Sequence, residues 1–191
     1  KGLGLTHLKL VMGTSMGAMH AWDWGYMYPS FASGLAPLAS NPVEIAGRNR
    51  IWRKFLMDAI ELDPSWNNGN YTEQPRGMRS AIGFLMMAQS APLYWQKQFP
   101  TIAAADKYVE EQVASRWKTY DANDMLYHYH SIEDYNPEPH LADITAPLLA
   151  INSADDFVNP PELPMMQALI KKVKHARFVL LPITEATRGH G

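Results

Sequence analysis

The stretch His7-Leu-Lys-Leu-Val-Met-Gly-Thr-Ser-Met-Gly-Ala-Met-His-Ala-Trp-Asp-Trp-Gly-Tyr-Met-Tyr-Pro29 decides the fold that this sequence predicts. A segment of strand length, in which Leu8, Leu10, Val11 and Met12 are apolar, leads into Gly13-Thr-Ser-Met-Gly17, and about twelve residues with helical apolar spacing follow. This order is typical of a nucleophile elbow, a sharp turn that lifts a serine above the edge of a sheet. Glycines two positions before and after Ser15 remove side chains that would collide with the strand and the helix. The pattern therefore predicts Ser15 as a nucleophile.

The residue after the serine has a predicted role of its own. The amide of Met16 lies at the first turn of the predicted helix, where it can point toward an oxyanion that forms on a substrate. The alternative interpretation is an ordinary serine in a strand-to-helix turn of an α/β domain. The acid and the histidine described below favour the catalytic interpretation.

Length, composition and charge limit the classes of function. The 191 residues, 47% of them hydrophobic, can bury a sizeable core and are most simply one domain. The net charge of -2 indicates neither a nucleic-acid partner nor an anionic membrane surface. The chain has no cysteine and no apolar run of about 18 residues. We therefore expect a cytoplasmic protein with a small-molecule substrate, no membrane partner and no disulfide.

The remaining elements alternate between sheet and helices. A second short strand is predicted over residues 31–40, and the strand, helix and strand make a parallel unit. Residues 42–143 then change to a helical pattern, which is too long for a connection and predicts an inserted lid over the site. Its predicted helices begin near residue 43 and end at Asp63-Pro64, and continue over 77–89, 103–119 and 122–131.

The sheet pattern resumes after the lid, and two further polar groups follow its strands. Asp155-Asp156 comes directly after a strand within residues 144–152, and His190 follows a strand at 176–182. A helix is predicted between them, over residues 161–174. Ligands and catalytic groups collect at the strand ends of open parallel sheets. Nucleophile, acid and histidine therefore occur in the order of an α/β-hydrolase triad, with Asp155 and Asp156 both candidates for the acid.

These motifs resemble the α/β-hydrolase superfamily and, within it, the homoserine O-acetyltransferase family and its hydrolase relatives. The matches are Gly-Thr-Ser-Met-Gly-Ala-Met-His-Ala-Trp at 13–22, Asp-Pro-Ser-Trp-Asn-Asn-Gly-Asn-Tyr at 63–71, Asp156 with Pro160, and Gly189-His190. The resemblance implies Ser15 as nucleophile, Asp156 as orienting acid and His190 as general base. Asp156 is preferred over Asp155 because a proline four residues after the acid is the usual form.

The resemblance also implies what surrounds the triad. Residues 1–191 would be one α/β-hydrolase domain that lacks the N-terminal strands and the loop that donates a second oxyanion amide. Where the transferases usually carry an arginine for the amino-acid carboxylate, this chain has Ile82, and Arg79 on the same helix is the candidate to replace it. A homodimer through the lid helices is possible. No metal or cofactor is expected.

The function that follows is acyl transfer through a covalent acyl-Ser15 intermediate. Hydrolysis of a small ester or acyl compound is the first prediction, because the expected carboxylate anchor is missing at Ile82. Transfer from acetyl-CoA, as co-substrate, to an alcohol such as homoserine is the alternative. A catalytically silent binding or dimerisation module is the alternative of another class.

Overall fold

The computed structural model describes residues 2–190, and their centre is a four-stranded parallel sheet. The strands are β1 (Val11–Thr14), β2 (Leu35–Leu38), β3 (Leu148–Ser153) and β4 (Ala176–Leu181), and they lie in the order β1-β2-β3-β4. All three pairings are parallel. The predicted α/β class and the parallel pairing of the first two strands are confirmed.

The register of the strands brings their carboxyl ends to one edge of the sheet. Thr14 pairs with Leu38, and Leu38 pairs with Ile151. Ser153 in turn pairs with Leu181 at the end of the last pair. The loops that follow the four strands therefore begin side by side, which is where a parallel sheet assembles a site.

Helix α1 (Met16–Met27) packs on the sheet through a face with three- and four-residue spacing. Ala18, Ala21 and Trp22 have no exposed surface, and the Trp22 indole N–H donates to Ser40 Oγ at 3.1 Å. The short helix α7 (Met165–Leu169) contributes to the same hydrophobic cluster as Trp22 and the sheet residues. This packing anchors the helix that begins directly after Ser15.

Five helices connect β2 to β3. They are α2 (Gly47–Glu61), α3 (Gly77–Ala88), α4 (Pro92–Gln98), α5 (Ile102–Trp117) and α6 (Ala122–His130). Four of them, α2, α3, α5 and α6, bury their apolar faces in a hydrophobic cluster separate from that of the sheet. The predicted helical segment is confirmed, while its role as a lid stays a prediction.

A hydrogen-bonded carboxylate and a glycine join α2 to α3. The Asp63 side chain accepts hydrogen bonds from Ser65 N at 2.8 Å and Gly77 N at 2.5 Å. A Cβ on Gly77 would lie 1.7 Å from the Ala59 carbonyl oxygen, so a glycine is required where the two helices approach. The Asp-Pro segment therefore ends α2 and positions α3, after a 3-10 turn over Pro64–Gly69.

The structure corrects two of the predicted elements and adds a helix that was not predicted. The helix predicted over 161–174 is wrong in its first part, because Pro164 precedes a helix that begins only at Met165. The first strand begins at Val11, and Leu8 makes only an isolated bridge to Ala32. Helix α4 was missed, although Pro92 at its first position is a typical start signal.

No helix in the described part of the chain is long and apolar enough to span a membrane.

Candidate active site

Ser15 lies on a strained turn between β1 and α1. Its backbone has φ 53° and ψ -120°, a region that non-glycine residues rarely adopt. Its N–H donates to the Leu38 carbonyl at 2.9 Å, and its carbonyl accepts from Ala18 N and Met19 N at 3.0 and 3.1 Å. Hydrogen bonds from the sheet on one side and the helix on the other thus maintain the strained conformation.

The two glycines that flank Ser15 have different roles. A Cβ on Gly13 would lie 2.3 Å from both the carbonyl carbon and the carbonyl oxygen of Gly17. A Cβ on Gly17 would meet no heavy atom within 4 Å. The expectation of a steric need for glycine is therefore correct at Gly13 and wrong at Gly17.

We expect Gly13→Ala to reduce the free energy of unfolding by about 1–3 kcal/mol, because the added methyl group forces the strand away from the helix. Gly17→Ala is the matched control and should change the free energy of unfolding by less than about 1 kcal/mol, since its position is open. Urea denaturation of both variants measures the difference. Equal destabilisation by the two substitutions would contradict this account of the turn.

The structure brings Ser15, His190 and Asp156 into one hydrogen-bonded line. Ser15 Oγ lies 2.7 Å from His190 Nε2, and His190 Nδ1 lies 2.9 Å from Asp156 Oδ2. These groups come from positions 175 and 34 residues apart in the chain. Their order and distances fit a nucleophile, a base and an orienting acid.

Asp156 is enclosed and fully provided with donors. Only 1% of its surface is exposed, and its Oδ1 accepts from Val158 N at 2.7 Å and Asn159 N at 3.0 Å. Burial raises the pKa of Asp156, but the hydrogen bond and charge of His190 and the donors of Asn159 outweigh burial and hold the pKa below its usual value. Asp156 is thus an ionised partner for the imidazole at neutral pH.

Asp155 has a different set of contacts. Its carboxylate accepts from Ser153 Oγ at 2.5 Å and from Thr187 Oγ1 at 2.7 Å. It therefore ties the loop before His190 to the end of β3, without touching the imidazole. The loop also needs Gly189, which has φ 66° and whose Cβ would lie 2.4 Å from the Ser90 carbonyl oxygen. The contact of Asp156 with His190, and of Asp155 with Thr187 instead, favours Asp156 over Asp155 as the orienting acid.

The two remaining predicted site residues lie in contrasting places. Met16 is the first residue of α1, where a backbone N–H has no acceptor within its own helix, and it lines a cavity with Ser15. Arg79 is exposed on α3 and lines neither of the cavities that contain Ser15. Ile82 is fully buried in the cluster of the connecting helices. The structure therefore does not bring Arg79 to the candidate site.

Two cavities meet at the serine. One has a volume of about 560 Å³ and extends over the loop after β2, and the other has about 390 Å³ and extends between α2, α3 and α6. Both are lined by the same four residues, Ser15, Arg53, Val158 and His190. Two spaces on one nucleophile suit the two parts of an ester, or a donor and an acceptor.

Arg53 is the residue of this site that the sequence interpretation missed. It lies on α2, on the same face as the buried Leu56, Met57 and Ile60. Its position on an apolar helix face could have singled out Arg53 in the sequence, but Arg48 and Arg50 in the same segment made it look like one of several surface arginines.

Among residues 2–190 no group of three metal-binding side chains is found.

Comparison with curated proteins gives relatives that are named homoserine O-acetyltransferases. A homoserine O-acetyltransferase of Trichormus variabilis is 29% identical over 180 residues, covering 83% of this chain and 48% of the relative. One of Nostoc punctiforme is 27% identical over 214 residues, covering 98% of this chain and 57% of the relative. No family model matches the chain. The chain thus spans about half the length of the curated relatives it matches.

Solved structures agree closely in fold. The acetyl esterase MekB has a TM-score of 0.85 at 19% identity, over 100% of this chain and 57% of the other. A homoserine O-acetyltransferase from Bacillus anthracis has a TM-score of 0.83 at 23% identity, over 99% of this chain and 56% of the other. The α/β-hydrolase fold and the resemblance to homoserine O-acetyltransferases and their hydrolase relatives are therefore confirmed.

Proposed function

We propose that this chain carries the catalytic centre of a serine-dependent acyl-transfer enzyme, which hydrolyses a small ester through an acyl-Ser15 intermediate. The observation that carries the proposal is the line from Ser15 Oγ through His190 to the buried Asp156, with contacts of 2.7 and 2.9 Å. The strained backbone at Ser15 supports it, because such strain is typical of functional sites. A silent binding module would need none of these features.

Each residue has a defined part in the proposed reaction. Ser15 Oγ attacks the ester carbonyl carbon while His190 Nε2 takes the hydroxyl proton. Asp156 accepts the Nδ1–H of His190, which selects the productive tautomer and stabilises the imidazolium. The Met16 N–H donates to the developing oxyanion. His190 then protonates the departing alcohol, and a water molecule that it deprotonates attacks the acyl-serine to regenerate the enzyme.

The nature of the acceptor distinguishes hydrolysis from transfer. A transferase needs groups that hold the acceptor hydroxyl beside His190 for longer than water takes to react. The helix position at which the resemblance implies a carboxylate anchor is the buried Ile82, and Arg79 lies outside both cavities. These placements support hydrolysis. The names of the curated relatives keep acetyl transfer to homoserine as the second candidate.

The two candidates differ in their specificity constants. We expect the full-length protein to hydrolyse p-nitrophenyl acetate with a kcat/KM above that for acetyl-CoA with homoserine, because water, unlike an amino-acid acceptor, does not need the anchor that is missing at Ile82. Release of p-nitrophenol and release of free CoA measure the two reactions. CoA release that depends on homoserine and exceeds ester hydrolysis would establish the transferase instead.

A further inference from the structure

Arg53 is a buried cation that the proposed reaction does not use. Its residue surface is 5% exposed, and its Nε donates to Asn49 Oδ1 at 2.7 Å. Its guanidinium lies over the rings of Trp52 and Tyr129, at 4.6 and 5.2 Å from the ring centroids. These contacts fix the position of the group, since stacked guanidinium groups have little remaining freedom.

The outer nitrogens of Arg53 are free to bind a ligand. Within residues 2–190, neither Nη1 nor Nη2 makes a hydrogen bond to the protein. Neither atom is fully enclosed, because Trp52 Nε1 is the single fully enclosed polar side-chain atom without a partner in the described part of the chain. Arg53 itself lines both cavities. The planar end of the guanidinium thus presents unused donors at the cavities that contain Ser15 and His190.

No carboxylate of the described chain neutralises this cation. Within residues 2–190, no Asp or Glu oxygen lies within 4.0 Å of Arg53. Asp121, on the wall of the smaller cavity, accepts instead from Tyr71 OH, Asn123 N and Asp124 N at 2.6, 2.9 and 3.1 Å. Three other acids line the cavities without an ion pair to Arg53: Glu44, Asp124 and Glu162.

A buried charge without a counter-ion is costly, and such groups are normally paired. Burial, with a contribution from the neighbouring Arg50, lowers the pKa of Arg53 to about 10, so the guanidinium remains protonated at neutral pH. The cation therefore persists in a partly dehydrated wall beside the nucleophile. A ligand that brings a planar anion into the cavity would supply the missing partner and accept a bidentate hydrogen bond.

We infer that Arg53 is a specificity-determining residue that binds a free carboxylate of the substrate, so that the site selects carboxylate-bearing esters over neutral ones. The inference rests on the proposed function for its reaction, but concerns a different group. The carboxylate can belong to the acyl part of the ester or to its alcohol part. Both cavities contain Arg53, so the geometry allows either.

The test compares matched esters in the full-length protein. Mono-p-nitrophenyl succinate against p-nitrophenyl butyrate places the charge on the acyl part, and acetoxyacetate against propyl acetate places it on the alcohol part. We expect the wild type to prefer the charged member of one pair. Arg53→Gln should lower kcat/KM for that ester by about 10- to 100-fold and change the neutral ester by less than about 3-fold.

Two variants separate charge from geometry and from folding. Arg53→Lys keeps the charge without the planar fork and should recover part of the loss. Arg79→Gln removes an exposed arginine of the neighbouring helix and should leave both esters unchanged. An equal loss on charged and neutral esters, or a wild-type preference for the neutral members, would overturn the inference and indicate a structural role for Arg53.

A binding measurement keeps this test independent of turnover. Calorimetric titration of monomethyl succinate and of acetoxyacetate into Ser15→Ala, and into Ser15→Ala with Arg53→Gln, measures the carboxylate site without chemistry. If Arg53→Gln weakens the binding by at least about tenfold, the inference is supported even where no ester is hydrolysed. Absence of ester hydrolysis would reject only the proposed function. Failure of both ligands to bind to Ser15→Ala, or binding that is unaffected by Arg53→Gln, would reject the anion site.

Discussion

Ser15→Ala is expected to lower ester turnover by about four to six orders of magnitude, because the acyl-enzyme cannot form without the hydroxyl. The fold should remain, since the backbone hydrogen bonds at this position do not use the side chain. The same substitution should remove labelling by a fluorophosphonate probe, which reacts with activated serines. Mass spectrometry of the labelled wild-type protein should place the adduct on Ser15 alone.

The control for this substitution is an exposed serine on a helix outside the site. Ser80 lies on the exposed surface of α3, and Ser80→Ala should preserve both turnover and labelling. Labelling that survives Ser15→Ala would assign the nucleophile to another residue. A folded Ser15→Ala variant, verified by circular dichroism, makes either result interpretable.

Asp156→Asn is expected to reduce kcat by about 10⁴-fold, while Asp155→Asn should reduce it by less than about tenfold. An asparagine at position 156 can donate its amide N–H to His190 Nδ1, which places the imidazole proton on Nε2. A protonated Nε2 cannot accept the proton of Ser15. An asparagine at position 155 keeps an oxygen that can accept from Thr187 Oγ1. The loop that carries His190 should therefore keep its conformation.

Steady-state kinetics of the two variants on the same ester decide between the acids. Thermal denaturation should accompany the measurement, because Asp156 accepts several buried hydrogen bonds whose loss also reduces stability. The reverse ranking of the two variants would transfer the orienting role to Asp155. An equal and large loss in both would indicate that holding the loop in place is as important as the tautomer.

Local patterns in the chain were sufficient for most of the fold. The predicted helix after Ser15 agrees with Met16–Met27, and the predicted helix over 77–89 agrees with Gly77–Ala88. Both have apolar residues at helical spacing, and burial of that apolar face against a neighbouring element stabilises the helix. The prediction over residues 161–174 was wrong because it took Pro161 as the start of the helix, whereas the helix begins only after Pro164, whose ring cannot continue a preceding helix turn.

The candidate site could likewise be predicted only in part from the sequence. The elbow at Ser15 and the order of serine, acid and histidine could be predicted from local patterns, because an elbow requires its residues at adjacent positions and strand ends place polar groups at one edge. The resemblance preferred Asp156 over Asp155 on its spacing to Pro160, but two neighbouring carboxylates differ mainly in what they contact. The folded chain shows that Asp156 contacts His190 and that Asp155 contacts Thr187, a difference that depends on the path of the distant loop after β4.

The arginines show most clearly where prediction of the site from the sequence fails. By sequence, Arg79 was the candidate for a substrate carboxylate, because it lies on the helix that the resemblance indicated. In the folded chain Arg79 is exposed, while Arg53 is buried between Trp52 and Tyr129 on the wall of both cavities. Helical periodicity indicates which residues share a face, but the packing of α2 against α6 decides which cation loses its water and lines the cavities at Ser15.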